Sequence, residues 1–146
     1  MTPSAKSGAM DRRALVVDAN ILISAVLGKR VRHLIQTYGD VALFLPRSAL
    51  EEAQQNLPGL AIRRKDDPQK ALDILDSLTS GMELVSVEKE NVQADARRRM
   101  KRDPSDWPIL AAALEVGCPI WTDDRDFFGC GVATWTTANV EIYLAG

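Results

Sequence analysis

Seven acidic residues occupy positions from which carboxylates can converge. Asp18 closes the apolar run Ala14-Leu-Val-Val, Glu51 and Glu52 follow the second apolar run and its Pro46, Asp103 and Asp106 open an apolar helix, and Asp124 and Asp126 follow Pro119-Ile-Trp-Thr122. Carboxylates brought into one cleft repel, so their ionised forms persist only beside a compensating cation or with some protons bound. Carboxylate and water ligands suit Mg²⁺ or Mn²⁺, whereas zinc and copper draw on His and Cys, of which the chain has one and two. In phosphodiester hydrolysis such an ion orients and activates water and neutralises charge on the phosphate. Taken singly, each acid has an ordinary reading: Asp18 as a helix cap, Asp103 and Asp106 as first-turn residues, Asp123 to Asp126 as a polar turn.

The elements that would position these acids alternate between strand and helix. Ala14 to Val17 reads as a buried parallel strand that delivers Asp18 to its carboxyl end, where open α/β sheets bind ligands. A helix follows over Ala19 to Gly28, then a second over Val31 to Tyr38, and Val41 to Leu45 reads as the second strand. Ser48 and Glu51 have capping-box spacing, which gives Glu51 a structural task and leaves Glu52 without one. Asn56-Leu-Pro-Gly signals a turn, so Pro58 to Asp67 reads as a connection whose helical content the pattern leaves open. Pro68 starts a helix with an apolar stripe to Leu78, Leu84 to Val87 is a third strand, and Glu88 to Met100 is a charged helix. The helix opened by Asp103-Pro-Ser-Asp106 closes at Gly117. Pro119 to Thr122 and Val132 to Trp135 are two further strands, and Asn139 to Leu144 is a last short helix. This alternation predicts a parallel sheet with helices on both faces.

Composition narrows the classes. With 146 residues and 46% hydrophobic content, one domain can bury a core without staples. No apolar run approaches the roughly 20 residues needed to span a bilayer. Residues 1–12 read as a flexible leader, with no secretory pattern behind their basic residues. Cys118 and Cys130 lack the spacing of a redox or zinc motif, read as buried hydrophobes, and fit a reducing cytoplasm. The net charge is only −2, yet after Arg102 seven acids face one base, while Arg97, Arg98, Arg99, Lys101 and Arg102 crowd just before. That basic run borders the acids, so Arg97, Arg98, Lys101 and Arg102 are expected to contact nucleic-acid phosphates, with a solvated helix face as the alternative. Trp107 is the best-placed aromatic for stacking a base. Trp121 and Trp135 belong to strands, and the lone His33 has no partner for catalysis.

Taken in order, the motifs resemble the PIN domain family (PilT N-terminus-like nucleases). Leu15-Val-Val-Asp18-Ala-Asn20-Ile-Leu is similar to the family's opening strand with its first metal-binding aspartate and neighbouring Asn. Asp103-Pro-Ser-Asp106-Trp-Pro-Ile-Leu-Ala-Ala-Ala113 resembles its third signature. Trp121-Thr122-Asp123-Asp124-Arg-Asp126-Phe127 resembles its closing Thr, Asp and Asp-Phe pattern, which selects Asp124 over Asp123. Leu50-Glu51-Glu52-Ala53 offers two acids for the second signature, of which Glu52 has the family's flanking residues.

The resemblance implies a three-layer α/β/α sandwich over 13–146, with a central, mostly parallel sheet of about five strands. It implies a Mg²⁺- or Mn²⁺-dependent endoribonuclease, often the toxin of a bacterial toxin–antitoxin pair of the VapC kind. Such a protein is expected to be a homodimer with an antitoxin partner, an RNA substrate and no membrane association. Asp18, Glu52, Asp106 and Asp124 would hold the ion directly or through water, with Glu51, Asp103 and Asp126 as accessory acids and Asn20 and Thr122 orienting ligands or water.

Other readings fit less well. A phosphoryl-transfer receiver requires a late lysine, but the last is Lys101. A haloacid-dehalogenase-like site needs an acid where Asn20 stands, and no P-loop pattern is present. The alternative outside catalysis is a PIN-like module that binds RNA or protein without cutting.

Overall fold

The computed structural model describes residues 13–100 and 103–146. The expected leader, residues 1–12, and two of the expected phosphate contacts, Lys101 and Arg102, lie outside the described residues. Five parallel strands form the central sheet in the order β3-β2-β1-β4-β5: β1 Ala14–Val17, β2 Ala42–Pro46, β3 Glu83–Val85, β4 Ile120–Trp121 and β5 Thr134–Trp135. Leu15, Val16 and Val17 are fully buried, as suits a central strand covered on both faces.

Helices α1 Ala19–Leu27, α2 Arg30–Thr37, α3 Arg47–Arg63 and α4 Pro68–Thr79 pack among themselves, and α5 Glu90–Arg99 packs on α6 Trp107–Val116. A short α7, Val140–Ala145, closes the chain. The architecture is the three-layer α/β/α sandwich with a parallel five-stranded sheet. No helix among the described residues is long and apolar enough to cross a membrane. Cys118 and Cys130 are free and buried.

Two sequence expectations are corrected. The Asn56-Leu-Pro-Gly segment is not a turn: α3 runs through Pro58 to Arg63. Proline removes one helical hydrogen bond, at about 3 kcal/mol in a helix interior. Here the buried stripe Ala49, Ala53, Leu57 and Ala61 continues past it. Beyond it the last turn is tied down by Asp66 N–H to Ala61 O at 2.8 Å and by the Arg64 guanidinium to Leu27 O at 3.1 Å. Tertiary packing thus outweighs a local signal.

The Ser48–Glu51 capping box does not form either. The helix starts at Arg47 with Pro46 at the cap and no side-chain cap bond, so Ser48 is already inside the first turn. Glu51 is thereby released from the structural task its spacing suggested.

The fold positions the site through its strand order. From β1 the chain steps to β2 on one side, while β4 takes the other side. This topological switch opens a crevice beyond the carboxyl ends of β1 and β4. Val17 pairs with Trp121, so Asp18 and Thr122 leave the sheet side by side.

Candidate active site

Among the described residues Asp18 and Thr122 are the polar residues most fully withdrawn from solvent, 5% and 0% exposed. Oδ1 of Asp18 accepts the Ile21 N–H at 2.9 Å, capping α1, and Oδ2 accepts the Thr122 hydroxyl. The same hydroxyl accepts the Asp124 N–H at 3.0 Å, and Asp124 Oδ1 accepts the Asp126 N–H at 2.9 Å. A chain of hydrogen bonds therefore runs from the end of β1 to the loop after β4. The cap roles expected of isolated aspartates are present, and they act here to lock carboxylates in place. Each carboxylate oxygen has a second lone pair with which to receive a cation.

Asp18, Asn20, Glu52, Asp106 and Asp124 line one small polar cleft, with Ser48 and Ser105 among its remaining walls. It has about 60 Å³ of free volume, enough for a few water-sized atoms. Ser48 and Glu52 reach it because they lie one turn apart on α3. Glu51, one residue before, lines a neighbouring groove instead. Asp123 points elsewhere: its two oxygens accept the Thr137 N–H at 2.7 Å and hydroxyl at 2.8 Å, tying the loop to the segment after β5.

Among the described residues Asp103, Asp106, Asp124 and Asp126 group so that one oxygen from each lies within 4.8 Å of the others. Two of these, Asp106 and Asp124, also belong to the cleft with Asp18 and Glu52. Asp103 and Asp126, expected as accessory acids, crowd those two, while Asp18 and Glu52 border the same space from β1 and α3. Asp103 caps the 3₁₀ turn Pro104–Asp106, accepting the Ser105 N–H at 3.1 Å, and the Ser105 hydroxyl and amide hold its carboxyl below the usual carboxylate range. From the sequence Ser48 reads only as a helix cap and Ser105 only as part of the Asp103-Pro-Ser-Asp106 motif, so neither is expected at the site. Ser48 stands four residues before Glu52, and that helical spacing was the available signal.

Two acids are electrostatically stressed. Burial pushes the Asp18 carboxyl up to about 6 against the Thr122 and Ile21 hydrogen bonds, and Asp124 and Asp123 add repulsion. Burial, with repulsion from Asp103 and Asp124, pushes Asp106 up to about 7. Oδ2 of Asp106 is buried without a hydrogen-bond partner among the described residues. A buried carboxylate oxygen without a partner, surrounded by like charges, is destabilised unless a proton or cation joins it. The donor set, all carboxylate, serine hydroxyl and amide oxygen, fits a hard divalent cation.

The basic run divides. The Arg97 guanidinium sits 4.2 Å from the centroid of the Trp107 ring. Arg98 and Arg99 both pair with Asp95, and Arg99 also donates to Cys130 O at 3.2 Å. Trp121 is fully buried, and Trp135 leans on Tyr143 at 5.5 Å.

Comparison with known proteins gives the following. A family model described as PIN domain matches residues 16–145. No curated protein matches the sequence. PAE2754 from Pyrobaculum aerophilum has a similar crystal structure, with TM-score 0.72, 18% identity, and coverage of 94% of this chain and 92% of that one. FitAcB from Neisseria gonorrhoeae is similar at TM-score 0.60 and 17% identity, over 85% of this chain and 98% of that one. A structure of FitAB bound to an IR36 DNA fragment gives TM-score 0.57 and 17% identity, over 84% and 94%.

Proposed function

Because the chain belongs to the PIN-domain family, we propose that it is a divalent-metal-dependent endoribonuclease, the toxin of a bacterial toxin–antitoxin pair, working in the cytoplasm as a homodimer on RNA. The observation that carries the nuclease reading is the buried oxygen of Asp106 that finds no hydrogen-bond donor among the described residues, inside a cluster of acids at the sheet's switch point. The RNA substrate and the toxin role rest on the family resemblance. That FitAB is bound to DNA in a similar structure supports a nucleic-acid setting.

Asp18, Glu52, Asp106 and Asp124 are the residues that would hold Mg²⁺ or Mn²⁺, with Asp103 and Asp126 reinforcing the negative field around Asp106 and Asp124. When bound, the ion supplies charge neutralisation at the phosphate and activation of water for in-line attack. Thr122 keeps Asp18 and the Asp124 backbone in register, so the two carboxylates are preorganised rather than recruited. Asn20 and Ser48 bring hydrogen-bond donors to an otherwise acidic cleft and would steady the phosphate oxygens, whereas the Ser105 hydroxyl proton is committed to Asp103. Arg97, Arg98, Lys101 and Arg102 are the proposed contacts to flanking phosphates.

The test is cleavage of a mixed pool of structured and single-stranded RNAs in Mg²⁺, Mn²⁺ or chelator. Activity restricted to the metal-loaded wild type and lost in Asp18→Asn and Asp106→Asn supports the reading. Purified, partner-free protein that binds RNA and cuts none of it under either metal would make it a binding module instead.

A further inference from the structure

The acidic cleft is too small for a nucleotide. Its roughly 60 Å³ of free volume suits an ion, its waters and a phosphate oxygen, so the bases of a strand being cut must lie outside it. Adjoining it, and sharing Ser48 and Pro108 as a common wall, is a groove with about 280 Å³ of free volume. The groove lies between the start of α3, the end of β3 and the start of α6. Its floor is apolar, from Val85, Val87 and the Trp107 ring, and its rim carries Arg47 and Glu51. Arg47 Nε donates to Ser86 Oγ at 3.0 Å, which places the guanidinium at the rim. The Arg97 guanidinium lies over one face of the Trp107 ring, 4.2 Å from its centroid, so a base can stack only on the opposite face.

Resting on the nuclease reading above, we propose that this groove is a subsite for one unpaired base of the RNA strand, next to the phosphate being cut, with Trp107 as stacking platform and Glu51 as specificity-determining residue. An aromatic ring flanked by cations is the arrangement that single-stranded nucleic acid uses, because every base has a π-face and every linkage a negative charge. Duplex bases, stacked inside their helix, cannot enter such a groove. Glu51 is acceptor-only when ionised, so it favours a base edge bearing an exocyclic amine, as in cytosine, adenine or guanine, over uracil, whose one edge donor, N3–H, lies between two carbonyl oxygens that a carboxylate repels. This gives Glu51 a task that neither the unformed capping box nor the acidic cleft supplies. Adjacent acids on one helix thereby divide the work, Glu52 toward the ion and Glu51 toward the base.

The experiment measures fluorescence anisotropy of labelled short rC, rA and rU single strands and of an RNA duplex with the full chain, using Ca²⁺ in place of Mg²⁺ or Mn²⁺. Cleavage-site mapping in Mn²⁺ accompanies it. The proposal expects Trp107→Leu to weaken single-strand binding by roughly 5- to 150-fold, the range of one base–aromatic stack, with Trp107→Phe retaining most of it. It expects Glu51→Gln to shrink the preference for rC and rA over rU and to shift the positions cut. Equal losses in Trp107→Leu and Trp107→Phe with the base order unchanged would mean a structural role and overturn the subsite, as would a duplex that binds as tightly as single strands. If wild type cuts RNA while both Trp107→Leu and Glu51→Gln keep affinity, base order and cleavage pattern, the subsite is wrong and the nuclease stands. If wild type binds with the expected base order and cuts nothing, the nuclease reading fails and the subsite stands.

Discussion

The hydroxyl of Thr122 donates to Asp18, 104 residues away in sequence, and at the same time accepts the backbone N–H of Asp124 at 3.0 Å. One buried side chain thus couples the ends of two neighbouring strands and fixes the spacing of two carboxylates. Thr122 is fully buried and Asp18 nearly so, which strengthens the bond between them.

Thr122→Val keeps the shape and removes the hydroxyl, stranding Asp18 Oδ2 and the Asp124 amide. The expected result is a loss of about 1–3 kcal/mol in stability together with a roughly 10- to 100-fold loss of metal-dependent cleavage. Thr122→Ser should recover most of both. Denaturant melts and initial cleavage rates on the three proteins check this, and wild-type rates in Thr122→Val would remove Thr122 from the positioning role.

Stability of the metal-free protein should fall as pH rises. The folded pKa values of Asp18 and Asp106, about 6 and about 7, lie above the ordinary 3.8, so the native state binds more protons than the unfolded chain between about pH 4 and 7. Their contribution is most favourable below pH 4 and is lost as pH climbs through the folded values. For Asp18 the shift corresponds to about 3 kcal/mol as an upper limit. Urea unfolding in chelator at pH 5 and pH 7.5 measures it. Asp106→Asn should flatten the slope and be more stable than wild type at pH 7.5.

Mg²⁺ or Mn²⁺ should raise Tm at pH 7.5 and much less at pH 5, where protons occupy the same carboxylates. Glu52→Gln should reduce the rise, whereas Glu51→Gln and Asp123→Asn should keep it, since Glu51 lines the neighbouring groove and Asp123 is engaged by Thr137. A full rise in Glu52→Gln with none in Glu51→Gln, read by differential scanning calorimetry, would reverse the assignment of these two acids.

Pro58 stands inside α3 and withholds one helical donor. Pro58→Ala should therefore stabilise the protein, by about 1–3 kcal/mol, with cleavage unaffected. Destabilisation in a melt would show that the proline shapes the packing of α3.

Much of this layout is legible in the sequence because strand ends are marked by chemistry. Apolar runs ending at Asp18 and Thr122 announce where the sheet stops, and the strand–helix alternation announces that those ends share one edge. Gly117 marks the end of α6, which does close there with φ of 79°. The misread positions are those where tertiary packing overrides a local motif. Pro58 resembles a turn until the stripe ending at Ala61 is seen to be buried, and Ser48 resembles a cap until Pro46 takes that place. The grouping of Asp103 and Asp126 with Asp106 and Asp124 depends on how two short loops approach each other, which no spacing rule contains.

Under the proposed function, the acids of the cleft act together on RNA through a divalent ion. The most direct measurement is cleavage of a mixed RNA pool by wild type, Asp18→Asn and Asp106→Asn in Mn²⁺ and in chelator, with folding of each variant verified by its melt. Cutting is expected from the metal-loaded wild type alone, the folded variants losing at least roughly 100-fold, as when a group acting only in the transition state is removed. Cutting that survives chelator, or persists in both folded variants, would contradict it.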